Sequence, residues 1–192
     1  KAVAAILEEI ERLGGSVQYG CRLTALKTKG AELCGVEYEK NGLKTTVETG
    51  SVILAIGHSA RDTYEYLSGA GITMQPKPFA VGLRIEHLRE FINYSQYGED
   101  HVRLGAAEYK LTSKHGGRGV YTFCMCPGGE VINAASEHGG IAVNGMSYYA
   151  RSAENSNSAI VVSVAPSDFG GTALGGIVFQ RSLEQQAFAA AG

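Results

Sequence analysis

Six short segments between Phe79 and Val164 constrain this chain more than any other feature. They are "FAVGLRIEH", "AEYKLTS", "GVYTFCMC", "EVINAAS", "IAVNGM" and "SAIVVSV", each of strand length and each closed by turn residues. A helical bundle cannot be built from segments interrupted this often. The composition agrees, because 26 glycines and only 19% charged residues favour a turn-rich fold over an exposed helical one. "HLREFINY" (87–94) is the one helix-like interruption before a C-terminal "RSLEQQAFAA". Residues 72–192 therefore read as a β-rich unit, without a repeat of fixed period.

The first third has a different pattern. "AVAAILEEIERL" places Val3, Ile6, Ile10 and Leu13 on one helical face, and Gly14-Gly15 supplies a left-handed cap. "SVQYG", "CRLTALKT", "ELCGVEYE" and "LKTTVE" follow as strands of a small antiparallel meander. Asn41-Gly42 between two of them suits a two-residue hairpin whose central residues both need positive φ. "SVILAIG" then predicts an apolar strand buried on both faces. Ser59 with Asp62 resembles a capping box opening a short helix, which Gly69 and Gly71 end. The two prolines of "MQPKPF" mark a boundary, giving units of 1–71 and 72–192. The expected fold class is α+β (mixed α/β).

Charge and length exclude several functions. The formal net charge is -2 with no basic block, which excludes a nucleic-acid surface. No apolar run reaches the length of a membrane span. The four cysteines, at 21, 34, 124 and 126, have no C-x-x-C pairing or secretory context, so a reduced cytoplasmic setting is expected. Serine-hydrolase, zinc-protease and P-loop motifs are missing, as is a G-x-G-x-x-G between strand and helix. Lys1 begins within a helical pattern and the C-terminus has no closing element, which reads as a piece of a longer chain.

Four stretches have the residue types that chemistry needs. In "VILAIGHSARD" an apolar strand enters a turn at Gly57 and a helix N-terminus, an arrangement that can hold phosphate or carboxylate with Arg61 nearby. A plain βα connection explains the same residues. In "KPFAVGLRIEH", strand alternation sends Arg84 and Glu86 to one face and Ile85 and His87 to the other. Arg84 suits a substrate carboxylate and His87 suits proton transfer near neutrality, against the alternative of a cross-strand ion pair and a helix-start histidine.

The third stretch is "RGVYTFCMCPGG". On an extended strand Cys124 and Cys126 share a face with Thr122, roughly 6.5–7 Å apart at Cα. Structural burial and a redox or substrate-facing role both remain open, while a direct disulfide would be strained. His115 and His138 have no zinc spacing, so no metal site is assigned. The fourth comprises "VNGMSYYAR" and "ENSNSAIV". Asn144-Gly145 reads as a turn, and Tyr148, Tyr149, Arg151, Asn155, Asn157 and Ser158 are either pocket-lining or turn residues.

The order helix, Gly-Gly, antiparallel meander and strand ending in Ala-x-Gly is similar to the middle of glutathione-reductase-like flavoproteins. The strings "AIGHSARDTYEYL", "KPFAVGLRIEH", "RGVYTFCMCPGG", "NGMSYYAR" and "NSNSAIVVSV" resemble bacterial FAD-dependent (NAD/FAD-utilising) dehydrogenases along essentially the whole chain. The resemblance implies a partial FAD-binding segment over 1–71 and a substrate-side domain over 72–192. It also implies FAD as cofactor, with NAD(P)H as an admissible electron donor and a small molecule as substrate. Ala55, Ile56 and Gly57 would approach the flavin, as would the strand around Arg22 and Leu23. Arg84, His87, Cys124 and Cys126 would serve the reaction. The family's Gly-rich pyrophosphate loop has no counterpart in this sequence, so FAD would be held by the full-length protein. A non-catalytic β-rich binding domain is the alternative, and the oligomeric state is left open.

Overall fold

The computed structural model describes residues 2–191. Among them are four α-helices and nine strands, a mixed α+β fold in which every strand pairing is antiparallel. Contacts divide the chain into two units, with the division between Thr73 and Met74.

The first unit starts with α1 (Ala2–Arg12). Its end follows from local chemistry: Gly14 adopts φ 84°, Gly14 N–H donates to Glu11 O, and Gly15 N–H donates to Ile10 O. These paired bonds satisfy carbonyls that the helix leaves open. Strands β1 (Cys21–Lys29), β2 (Glu32–Lys40) and β3 (Leu43–Glu48) form one sheet in that order. The β2–β3 turn has φ 52° at Asn41 and 78° at Gly42, the two positive values expected. Helix α2 (Arg61–Gly69) buries Arg61, Thr63 and Leu67, and the Tyr66 hydroxyl accepts Leu26 N–H of β1 at 2.6 Å. Leu67 at 4% exposure contributes about 2 kcal/mol to that docking.

Three local expectations for this unit fail. "SVQYG" forms no strand. "SVILAIG" also forms none, and its Ile53 is 95% exposed. An apolar run becomes a strand only where another strand offers a ladder, and none of the described residues does so here. The capping box is missing too. Helix α2 is entered through Ala60 without a side-chain cap, and the Asp62 carboxylate instead accepts its neighbour Thr63 N–H at 2.8 Å.

The second unit is built on a four-stranded sheet. Its members are β4 (Phe79–Leu88), β5 (Thr112–His115), β6 (Arg118–Cys126) and β9 (Asn155–Val164), in the order β4-β9-β6-β5. A separate hairpin joins β7 (Gly129–Asn133) to β8 (Val143–Ser147). Helix α3 (Arg89–Tyr97) follows β4 directly and continues into a 3-10 turn, Gly98–Arg103. Helix α4 (Gly175–Ala191) closes the described residues, and Phe79 of β4 stacks on Phe169 shortly before it, ring centroids 5.3 Å apart.

Two segments differ here from the sequence pattern. "AEYKLTS" becomes a strand only from Thr112, and Ala107 N–H at its start is bound at 2.8 Å to Asn93 Oδ1 of α3. Asn144-Gly145 is no turn. It sits inside β8, where Gly145 opposes Val131, for a reason found at its neighbours on the four-stranded sheet.

Candidate functional site

The centre of the second unit is polar. Ser156, Asn157 and Ser158 are consecutive in β9 and each is 0% exposed, although polar residues at such depth normally require a full set of partners. Strand β9 is central, flanked by β4 and β6, so neither edge of this stretch is left unpaired.

The register divides the neighbouring side chains between two faces. Arg84 opposes Ala159, and Glu86 opposes Asn157, while His87 opposes Ser156. Alternation then places Arg84 and Asn157 on one face and His87, Ser156 and Ser158 on the other. Arg84 and His87 are therefore not one constellation, since the sheet lies between them.

On the first face Arg84 meets the cysteine stretch. Its Nη1 and Nη2 donate to the Cys124 carbonyl at 3.1 and 3.2 Å, and Nη1 also donates to Asn157 Oδ1. Cys126 Sγ is 3.8 Å from Nη1 and donates to the Cys124 carbonyl at 3.4 Å. The backbone explains this convergence. Pairing passes from Phe123↔Ala159 to Cys126↔Asn157, so three steps along β6 match two along β9. This β-bulge has Cys124 at φ 46°, a region that side chains other than glycine seldom adopt.

The bulge corrects the even alternation expected of "TFCMC". By pairing, Cys126 falls on the face of Phe123 and Asn157 rather than that of Thr122, and the Thr122 hydroxyl instead accepts Leu111 N–H at 2.8 Å. Cys124 is exposed and Cys126 half-buried, and both are free thiols. Gly145 of β8 lies against the same group. A Cβ there would run into Arg84 Nη1 and Asn157 Oδ1, so only glycine lets the strand pack this close.

On the opposite face His87 Nε2 lies 3.3 Å from the Tyr109 hydroxyl, with the rings tilted and centroids 5.6 Å apart. Burial pushes the His87 imidazole below its ordinary pKa, opposed by the charge of Glu86. Burial pushes the Tyr109 phenol up, opposed by a hydrogen bond to Ser158 and by the charge of Arg84. Both groups are thus held in their neutral forms near neutral pH.

Tyr109 and Gly145 were not singled out as site residues by their sequence context. Tyr109 occupies an irregular segment whose neighbours give no period, and Gly145 follows an asparagine in a pair that ordinarily means a turn. Tyr148 and Tyr149 are exposed, and Arg151 is ion-paired with Glu108 at 2.5 Å, so the structure does not gather them with Arg84.

The comparisons with known proteins bear on this second unit. Residues 78–192, well over half of the chain, match the family described as FAD-dependent protein, C-terminal domain-like. The chain belongs to this family. An uncharacterized protein of Clostridium beijerinckii is similar to it, 49% identical over 195 residues, covering 99% of this chain and 36% of that protein. The chain thus spans about a third of this relative's length. Membership in the FAD-dependent family associates the chain with FAD through its relatives. No helix among the described residues is long and apolar enough to cross a membrane.

The described residues do not by themselves fit FAD. Ala55 and Gly57 are exposed and Ile56 half-buried, and a Cβ on Gly57 would meet nothing within 4 Å, so no wall closes on that turn. Gly57 does take φ 68°, and its carbonyl accepts the Tyr64 hydroxyl at 2.8 Å. Arg61, expected to assist an anion, is 3% exposed within α2. Arg22 is exposed with Glu39 and Asp62 each 3.8 Å from its guanidinium, which offsets its charge, and Leu23 is half-buried in β1.

Proposed function

We propose that this chain is a central part of an FAD-dependent oxidoreductase of the glutathione-reductase-like class. In this reading residues 1–71 belong to an FAD-binding domain that the rest of a longer protein completes, and residues 72–192 form the substrate-side domain. The observation that carries it is the family match over residues 78–192 on a unit whose central strand opens with a buried polar stretch and one of whose faces brings Arg84 to Cys126 and the Cys124 carbonyl. The apolar run Val52–Ile56, with Ile53 and Leu54 exposed, supports the first half, because such a segment suits a strand whose partners lie elsewhere in a longer protein.

Within that reading Arg84 binds and orients an anionic substrate group, and Cys126 is the thiol nearest to it. His87 with Tyr109 serves proton handling on the other face, at a distance from Arg84 set by the sheet. FAD would supply the electron transfer in the full-length protein, with NAD(P)H as its donor and a small molecule as substrate. A reduced cytoplasmic setting fits four unpaired thiols.

The experiment is to purify the longer protein containing this sequence and record its visible spectrum. A flavin band near about 450 nm is expected. A folded, colourless protein sinks the reading and leaves a non-catalytic binding domain. If the band is present, turnover that persists unchanged in Arg84→Gln, His87→Ala and Cys126→Ser removes those residues from the reaction.

A further inference from the structure

We propose that Arg84 and Asn157 form a subsite for a carboxylate bearing a second oxygen on the adjacent carbon, as in a 2-oxo or 2-hydroxy acid. The inference rests on the reading above that this face is the substrate side, and it names the chemical class of the substrate.

A guanidinium has two edges that can grip a planar acceptor with parallel N–H groups. Arg84 commits the Nη1–Nη2 edge to the Cys124 carbonyl, and Nη1 reaches Asn157 Oδ1 as well. Among the described residues nothing accepts from its other edge, Nε with the second Nη2 proton. All the acceptors it has are uncharged, and no carboxylate among the described residues pairs with it. A half-buried cation compensated by neutral acceptors alone is a poor electrostatic arrangement, which a bound anion corrects.

Asn157 supplies the second donor. Its Oδ1 is engaged by Arg84, which fixes the orientation of the amide. Its Nδ2 is buried and meets no acceptor among the described residues, in a side chain that is 0% exposed. An orphaned donor at that depth carries a desolvation cost of about 1–3 kcal/mol. An acceptor oxygen arriving with a ligand removes this cost. Gly145 lies against Arg84 and Asn157 with bare backbone, where any Cβ would crowd both groups. The free fork selects a carboxylate, and the amide N–H selects the neighbouring oxygen. A simple monocarboxylate lacks that oxygen.

The test is a nitrogen-15 NMR titration of the longer protein containing this sequence with sodium pyruvate, sodium acetate and sodium chloride at constant ionic strength. Pyruvate is expected to shift both Arg84 Nε–H and the Asn157 side-chain amide with one saturable curve. Acetate is expected to shift Arg84 alone and to bind about tenfold more weakly, the value of one hydrogen bond. Asn157→Asp keeps the acceptor for Arg84 but removes the donor and adds a repelling charge, so the pyruvate response disappears while Cys124 and Val164 amide signals hold their dispersion. If Arg84 responds to pyruvate and Asn157 does not, the inference is overturned while the anion-binding role of Arg84 stands. If neither responds, or chloride shifts both equally, the subsite and that role fall together. Should Asn157→Asp not fold, the wild-type titration decides by itself.

Discussion

Arg84 grips the Cys124 carbonyl through both terminal nitrogens, at 3.1 and 3.2 Å, across forty residues of sequence. The contact explains how β6 sustains a bulge at a residue with a side chain. Cys124 at φ 46° carries a conformational cost, and the fork on its carbonyl helps to hold it there. Cys124→Gly should therefore leave stability unchanged or raise it by up to about 1 kcal/mol, because glycine takes positive φ without the Cβ penalty. Cys124→Val should lower stability by more than about 1 kcal/mol, since a β-branched residue fits that region worst. Equilibrium denaturation of the two variants checks this, and a destabilised Cys124→Gly would show that the thiol itself is needed.

Gly145 permits the β7–β8 hairpin to lie against Arg84 and Asn157. Adding one methyl group at this position drives it into a guanidinium that can move and into a buried amide that cannot. Gly145→Ala should cost about 1–3 kcal/mol, the usual range for overpacking. Its mark should be local, with amide exchange accelerated in Gly129–Asn133 and Val143–Ser147 ahead of β4. Hydrogen exchange followed by mass spectrometry reads this directly.

Acid should act on the second unit through Asp168. The Arg118 guanidinium, with contacts of 2.5 and 2.6 Å, and the Ala165 N–H hold this carboxyl down at about 2. A folded-state value below the unfolded value means that the stabilisation is complete above the unfolded carboxylate pKa of about 3.9. It is lost as pH falls through the folded value. Between about pH 4 and pH 2 the wild-type chain should lose stability more steeply than Asp168→Asn, with thermal midpoints as the readout. Parallel curves would remove the Arg118–Asp168 pair from the acid response.

The parts of this molecule that were legible in sequence are the locally determined ones. Asn41-Gly42 forms its hairpin because two adjacent residues suffice to define it, and Gly14-Gly15 ends α1 for the same reason. The alternation of "FAVGLRIEH" survives because β4 pairs with β9 in unbroken register through ten residues. What was not legible depends on distant partners. Strand β9 begins at Asn155, four residues before its apolar run, because β4 and β6 flank a polar stretch that reads as a turn in isolation. The bulge at Cys124 depends on Arg84, forty positions away, and "SVILAIG" lacks a ladder that hydrophobicity cannot supply. For the candidate site, Arg84 and Cys126 were visible as residue types, but their shared face and the separation from His87 required the register.

His87 and Tyr109 give the last prediction. Burial lowers the pKa of His87 in the folded chain, so the folded state resists a proton that the unfolded state accepts below about 6.5. Above that value the neutral ring imposes no cost, and as pH falls through the folded pKa stability declines. His87→Gln keeps a polar group near the Tyr109 hydroxyl and removes the titration, so its stability should be flatter than wild type from neutral to mildly acidic pH. Tyr109→Phe removes the hydroxyl 3.3 Å from Nε2 and should cost about 0.5–1.5 kcal/mol. The same variant should alter the Nε2 chemical shift of His87 without disturbing the Arg84 Nε signal, because the four-stranded sheet separates the two faces. Nitrogen NMR of both side chains across the pH range measures this. A Tyr109→Phe variant that shifts Arg84 as strongly as His87 would show that the two faces communicate through β9.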